Sequence, residues 1–149
     1  DKETVGRFIM WNYAFGLFKQ KPLFGTGWWG FRYSGITNVR ADALTGCHNV
    51  YIEILANCGV VGFVIFIIAL ISAIYITLRS IKFCIDKELL EYKIVLLCSA
   101  AIQIFCLMYC MTGNVMFDRT FHFYIVAVIL SVSFYLNKDR IAYMEGENI

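Results

Sequence analysis

The chain has 149 residues, 60% hydrophobic and 17% aromatic, with 13 Lys and Arg against 11 Asp and Glu for a net charge of +2. Its mean hydropathy of +0.67 exceeds that of an ordinary soluble domain and is membrane composition. The small net charge, without any block of Lys and Arg, argues against nucleic acid as a partner.

The chain opens at Asp1 with no charged n-region, apolar h-region or cleavage site, and the expectation is a piece of a longer protein with helices upstream. Residues 1–58 are mixed polar and aromatic. In "TVGRFIMWNYAFGLFK" the apolar Val5, Phe8, Ile9, Ala14, Phe15 and Phe18 recur near a helical period, and Pro22 stops the predicted helix. Arg7 and Trp11 stand four apart, on one helix face. "KPLFGTGWWGF" follows, where Gly25, Gly27 and Gly30 allow sharp turns and Trp28, Trp29 and Phe31 offer interfacial anchors. From there to Gly46 no period appears, which reads as irregular loop. Asn49 is placed to cap a short helix reaching about Asn57, which Gly59 ends or bends into the bilayer.

Three charge-free runs come next, 60–78, 94–111 and 120–137, each near the roughly 20 residues a membrane-crossing helix needs. The third carries His122 near its start. The 79–93 loop holds Arg79, Lys82, Lys87 and Lys93 and the tail holds Lys138 and Arg140, whereas the 112–119 turn has only Arg119. The charged loop and tail are therefore read as cytoplasmic, and residues 1–58, with the turn at Asp118 and Arg119, as extracytoplasmic. The expected fold is an all-α integral membrane protein: about three transmembrane helices in 59–149 plus a large extracytoplasmic loop with short helices in 1–58.

Of the six cysteines, none forms a CxxC pair and three (Cys98, Cys106, Cys110) lie in the second apolar run, where Cys behaves as a small hydrophobe. Cys47 and Cys58 share one segment, whose extracytoplasmic placement would permit a disulfide; packing is the preferred reading. No metal site is expected, because Cys47 and His48 are adjacent and no further ligand recurs at a useful interval. The GxG in "FGTGWWGF" lacks the preceding strand and following acidic residue of a dinucleotide site. No cofactor is expected.

His48 carries the side chain in this segment that can take a proton from a hydroxyl near neutral pH. Arg7, Arg32 and Arg40 offer forked, permanently charged donors suited to phosphate oxygens. The default readings are a structural hydrogen-bonding His and lipid-headgroup Arg.

In order, "GRFIMW", "KPLFGTGWWGF" and "CHNVYIEILANCGVVGFVIF" resemble the O-antigen ligase and O-antigen polymerase superfamily over roughly residues 6–78. In that family an Arg and a Trp open a large external loop, a Pro-Leu-Phe-Gly-x-Gly turn follows, and a His-Asn pair precedes an apolar helix. The resemblance implies a metal-independent glycosyltransferase of the bacterial cytoplasmic membrane. Such an enzyme takes glycan from undecaprenyl diphosphate on the outer face and passes it to a glycan, lipid or protein acceptor, building O-antigen, capsule or a similar surface polysaccharide. It further implies Arg7 as the diphosphate clamp and His48 as the base toward the acceptor. Asn49 and Trp11 would support them, and Arg32 and Arg40 match no family position. Asp118, Arg119 and His122 would emerge on the same outer side.

The rival readings are a transporter module and a non-catalytic membrane scaffold. A transporter predicts ionisable residues inside the spans; the first two runs have none.

Overall fold

The structure, a computed structural model, describes residues 2–34, 46–113 and 119–147. Among these, all regular structure is helical: α1 (Lys2–Gln20), α2 (Gly30–Tyr33), α3 (Val50–Asp86), α4 (Leu90–Tyr109) and α5 (Phe121–Glu147). Among the described residues three helices are long and apolar enough to cross a membrane: α3, α4 and Phe121–Gly146 of α5. The described residues of 1–68 and 108–118 form one unit, and those of 69–107 and 119–147 a second.

In the first unit α1 ends as the position of Pro22 predicts, with the Lys21 N–H donating to the carbonyls of Leu17 (3.3 Å) and Phe18 (3.2 Å). The face it buries coincides only in part, at Ala14, with the one its periodicity marks. Ala14 and Leu17 are buried, joining Phe31, Cys47 and Ala56 in a small core against which Met10, Trp11, Tyr13 and Ile52 pack. Val5, Phe8, Ile9 and Phe15 are exposed. Apolar and polar residues are mixed on every side of α1, so no single stripe stands out and tertiary contacts choose the face.

The turn at residues 22–27 is built into a break in α3. Gly59 has φ 65° and ψ −169° inside that helix. In an unbroken helix the N–H groups of Val60 and Val61 would donate to Ala56 and Asn57. Here they donate to the carbonyls of Pro22 (2.9 Å) and Leu23 (3.2 Å), while the carbonyls of Ala56 and Asn57 accept from Thr26 (3.1 Å) and Gly27 (2.8 Å). The two segments are pseudo-symmetric counterparts: Pro22 with Ala56, Leu23 with Asn57, Gly25 with Gly59, Thr26 with Val60, Gly27 with Val61. Four backbone groups freed by the break thus find partners in one six-residue turn, as buried polar backbone requires.

The break is sharp. Tyr51 and Phe66 would be about 22 Å apart along a straight helix axis, yet their ring centroids lie 6.1 Å apart. The 50–58 arm therefore folds back toward the 60–86 arm, which realises the bend expected at Gly59.

In the second unit Cys84, Leu96 and Phe134 form a buried core flanked by Ile81, Phe83, Leu89, Tyr92 and Ile141. A buried polar stack runs beside it: the Gln103 amide donates to Thr77 (2.8 Å) and Ser99 (3.1 Å), and Ser99 donates to the Ala127 carbonyl (2.6 Å) and lies 2.8 Å from Ser131. Between membrane helices such side-chain bonds fix which faces meet.

The 79–93 loop of the sequence reading is helical except at 87–89. The α3 terminus is closed by Glu88 at φ 57°, with the Leu89 N–H on Cys84 (2.9 Å) and the Glu88 N–H on Ile85 (3.3 Å), the paired bonds of a Schellman end. Likewise α5 runs past Asn137 to Glu147. Hydropathy marks where an apolar run stops, and Lys, Glu and Arg are good helix formers that carry the helix beyond it.

Candidate functional site

His48 lies in the first unit between two residues that are pinned from several sides. The Cys47 carbonyl accepts the indole N–H of Trp11 on α1 (2.9 Å), and the Cys47 N–H donates to Glu53 Oε2 (3.2 Å). Its thiol donates to the Asn49 carbonyl (2.9 Å). Asn49 is the N-cap of α3 that the sequence predicts: its Oδ1 accepts from the Ile52 N–H (3.1 Å). Its Nδ2 also donates to the Met111 carbonyl (3.2 Å), and the Val50 N–H donates to the Cys110 carbonyl (2.8 Å). The unpaired carbonyls after α4 thus meet the unpaired donors that open α3.

His48 itself is half-buried and has φ 54°, left-handed backbone that costs an L-residue roughly 1–2 kcal/mol. Residues held so are kept by their surroundings, and such positions concentrate at functional sites.

Glu53 closes the arrangement from below. It is fully buried, and its Oε1 accepts from Arg32 Nε at 3.1 Å, where the Arg32 side chain is 9% exposed. The Arg32 guanidinium also lies over the Trp29 ring, 4.5 Å from its centroid. A buried carboxylate is tolerated only when paired and hydrogen-bonded, and Glu53 has both an ion pair and the Cys47 N–H. The Phe31 N–H next to Arg32 donates to Asn57 Oδ1 (2.7 Å), and Tyr13 on α1 donates to the Ser34 carbonyl (2.6 Å). The short α2 is therefore held from two sides.

Cys47 is fully buried. Burial, with the Glu53 carboxylate as the next cause, pushes its thiol from 9.0 up to about 12, so it stays protonated and unreactive near neutrality. Cys47 and Cys58 are both free thiols.

The sequence-predicted residues distribute as follows. Trp11, His48 and Asn49 come together, and Trp11 serves as the tie between α1 and the residue before His48. Arg7 is exposed on α1, one turn or about 6 Å along the axis from Trp11. Arg32 reaches the same neighbourhood through Glu53. Arg40 and Asp118 lie outside the described residues. Arg119 and His122 belong to the second unit, where His122 Nδ1 is 2.9 Å from the Arg119 carbonyl. Among the described residues no group of three or more His, Cys, Asp and Glu side chains gathers to hold a metal ion.

Sequence reasoning missed Glu53 and Asn57. The signal for Glu53 was present: a single carboxylate at the head of a long apolar helix demands a cationic partner.

Residues 1–67 match the model of a family described as O-antigen ligase. No curated protein matches the chain, and no solved structure does.

Proposed function

We propose, from the match of residues 1–67 to the O-antigen ligase family model, that the protein transfers or polymerises undecaprenyl-diphosphate-linked glycan at the outer face of the bacterial cytoplasmic membrane. In this reading residues 1–58 are extracytoplasmic. The acceptor hydroxyl attacks the anomeric carbon of the donor sugar, the bond from that carbon to the diphosphate oxygen breaks, and His48 takes the hydroxyl proton. Undecaprenyl diphosphate leaves as an anion. Arg7 stabilises its charge, with Arg40 as a second phosphate contact. Asn49 and Trp11 hold the His48 turn. Arg32, with its Nε on Glu53, positions that turn from beneath. No step requires a metal.

The observation that supports this reading is the placement of His48: its neighbours are fixed by hydrogen bonds to α1, to α3 and to the turn after α4, while the imidazole remains half-exposed on left-handed backbone.

The test is glycan transfer from an undecaprenyl-diphosphate donor in membranes holding matched amounts of the parent, His48→Ala and Arg7→Ala. Both variants are expected to lose at least about 100-fold, within the range of removing a general base or an anion-stabilising donor. The product size ladder separates polymerase from ligase. Undiminished transfer by His48→Ala would remove His48 as the base and return the scaffold reading.

A further inference from the structure

The second unit holds a cavity of about 280 Å³ lined by Arg79, Lys82, Phe83 and Asp86 of α3 and by Tyr135 and Lys138 of α5. Arg79, Lys82, Phe83 and Asp86 follow one another at spacings of three and four residues, so α3 presents them on one face. Tyr135 and Lys138 are three apart on α5.

Three cations face this cavity against one carboxylate. Among the described residues none of the three is in an ion pair. Two of them lie over rings: Lys138 Nζ is 4.2 Å from the Tyr135 centroid and 5.9 Å from that of Phe83, and Arg79 is 6.0 Å from that of Tyr75. A ring face orients an ammonium without neutralising it and leaves N–H donors available.

The height of the cavity along the helices is informative. Arg79 is the first charge after Glu53 on α3, and Lys138 the first after Arg119. Each stands where an apolar run ends, which is the level at which a spanning helix leaves hydrocarbon for the lipid headgroups. Uncompensated cations in a concave, aromatic-walled space at that level favour an anion whose tail continues into the bilayer.

We propose that this cavity is a binding site for a phosphate ester, and that its occupant is the headgroup of an anionic phospholipid. Arg79, Lys82 and Lys138 supply the donors, Tyr135 and Phe83 hold the Lys138 ammonium, and Asp86 limits the site to a singly charged phosphate diester. The residues of this site all belong to the second unit, and the proposal does not depend on the His48 chemistry.

The experiment is native mass spectrometry of the whole protein in detergent micelles, titrated with phosphatidylglycerol, phosphatidylcholine or inorganic phosphate. Phosphatidylglycerol is expected to bind at least about tenfold more tightly than phosphatidylcholine. The Arg79→Gln, Lys82→Gln, Lys138→Gln triple variant should abolish that preference, and Lys19→Gln with Lys21→Gln should leave it. Lys82→Gln alone changes one exposed side chain, so it tests the same point where the triple variant folds poorly; its expected loss is about fivefold. Binding of inorganic phosphate that displaces the lipid and needs the same three residues would support the phosphate site but assign it a soluble occupant. Equal affinity for the two lipids, or a preference untouched by the substitutions, would overturn the proposal.

Discussion

Gly25 and Gly59 each sit with their α-carbon against the backbone of the other's segment. Gly25 has φ 68° and a side chain there would strike the peptide joining Asn57 to Cys58; Gly59 has φ 65° and would strike the peptide joining Leu23 to Phe24. Two reasons for glycine therefore coincide at both places: positive φ and an approach too close for any Cβ. Gly25→Ala and Gly59→Ala are each expected to cost about 3 kcal/mol or more, since left-handed strain and backbone collision add. Unfolding midpoints of the purified variants would check this, and the double variant should cost less than the sum because one interlocked element is lost once.

Arg32→Ala should destabilise the first unit by about 3–5 kcal/mol by leaving Glu53 charged and buried without its partner. Replacing both by Leu should recover much of that loss. A double-mutant cycle on unfolding free energy reads the coupling directly. If Arg32→Ala instead left stability intact and raised only the donor KM, its chief role would be on the phosphate rather than on Glu53.

The buried Cys47 thiol gives a pH dependence of definite sign. Its folded value of about 12 lies above the ordinary 9.0, so the folded state prefers the protonated thiol. That preference contributes nothing to pH dependence below about pH 9, and stability falls as pH rises from 9 toward 12, where the unfolded chain releases the proton first. Cys47 should also resist alkylation of the folded protein at mildly alkaline pH. Labelling at the rate of an exposed thiol, read by peptide mass spectrometry, would contradict the burial on which this rests.

Stability and activity should part company at His48. His48→Gly and His48→Ala both give up the imidazole, but only glycine accepts the left-handed backbone without strain, so His48→Gly is expected to be the more stable of the two, while glycan transfer is lost in both. Asn49→Ala should lose about 1–2 kcal/mol as the cap and the Met111 bond disappear. Asn49→Asp retains the cap but not the Nδ2 donor, so its difference from Asn49→Ala isolates the cap.

Much of this was legible in the order of residues. Pro22, Asn49 and Gly59 each announced a local event, a stop, a cap and a bend, because each acts through its own backbone or the next turn. The three spans were legible because burial in lipid demands a long unbroken apolar run. What could not be read was which distant segments meet. The bonds from Thr26 and Gly27 to Ala56 and Asn57 join main-chain groups, which every residue carries, so no periodicity records them. Glu53, at the head of an apolar helix, calls for a cation without naming one, and only its 3.1 Å contact identifies Arg32 as that cation.

The ladder between 22–27 and 56–61 acts as a clasp at the base of residues 28–55. With its ends fixed there, the entropy of closing that stretch grows only with the logarithm of its length, about 0.6 kcal/mol for each doubling. The His48 turn takes its own fixings from Trp11 on α1 and from the carbonyls of Cys110 and Met111 after α4, outside the clasped stretch. Lengthening the stretch that the clasp closes therefore carries a small thermodynamic expense, while the turn at His48 keeps fixings that do not belong to that stretch.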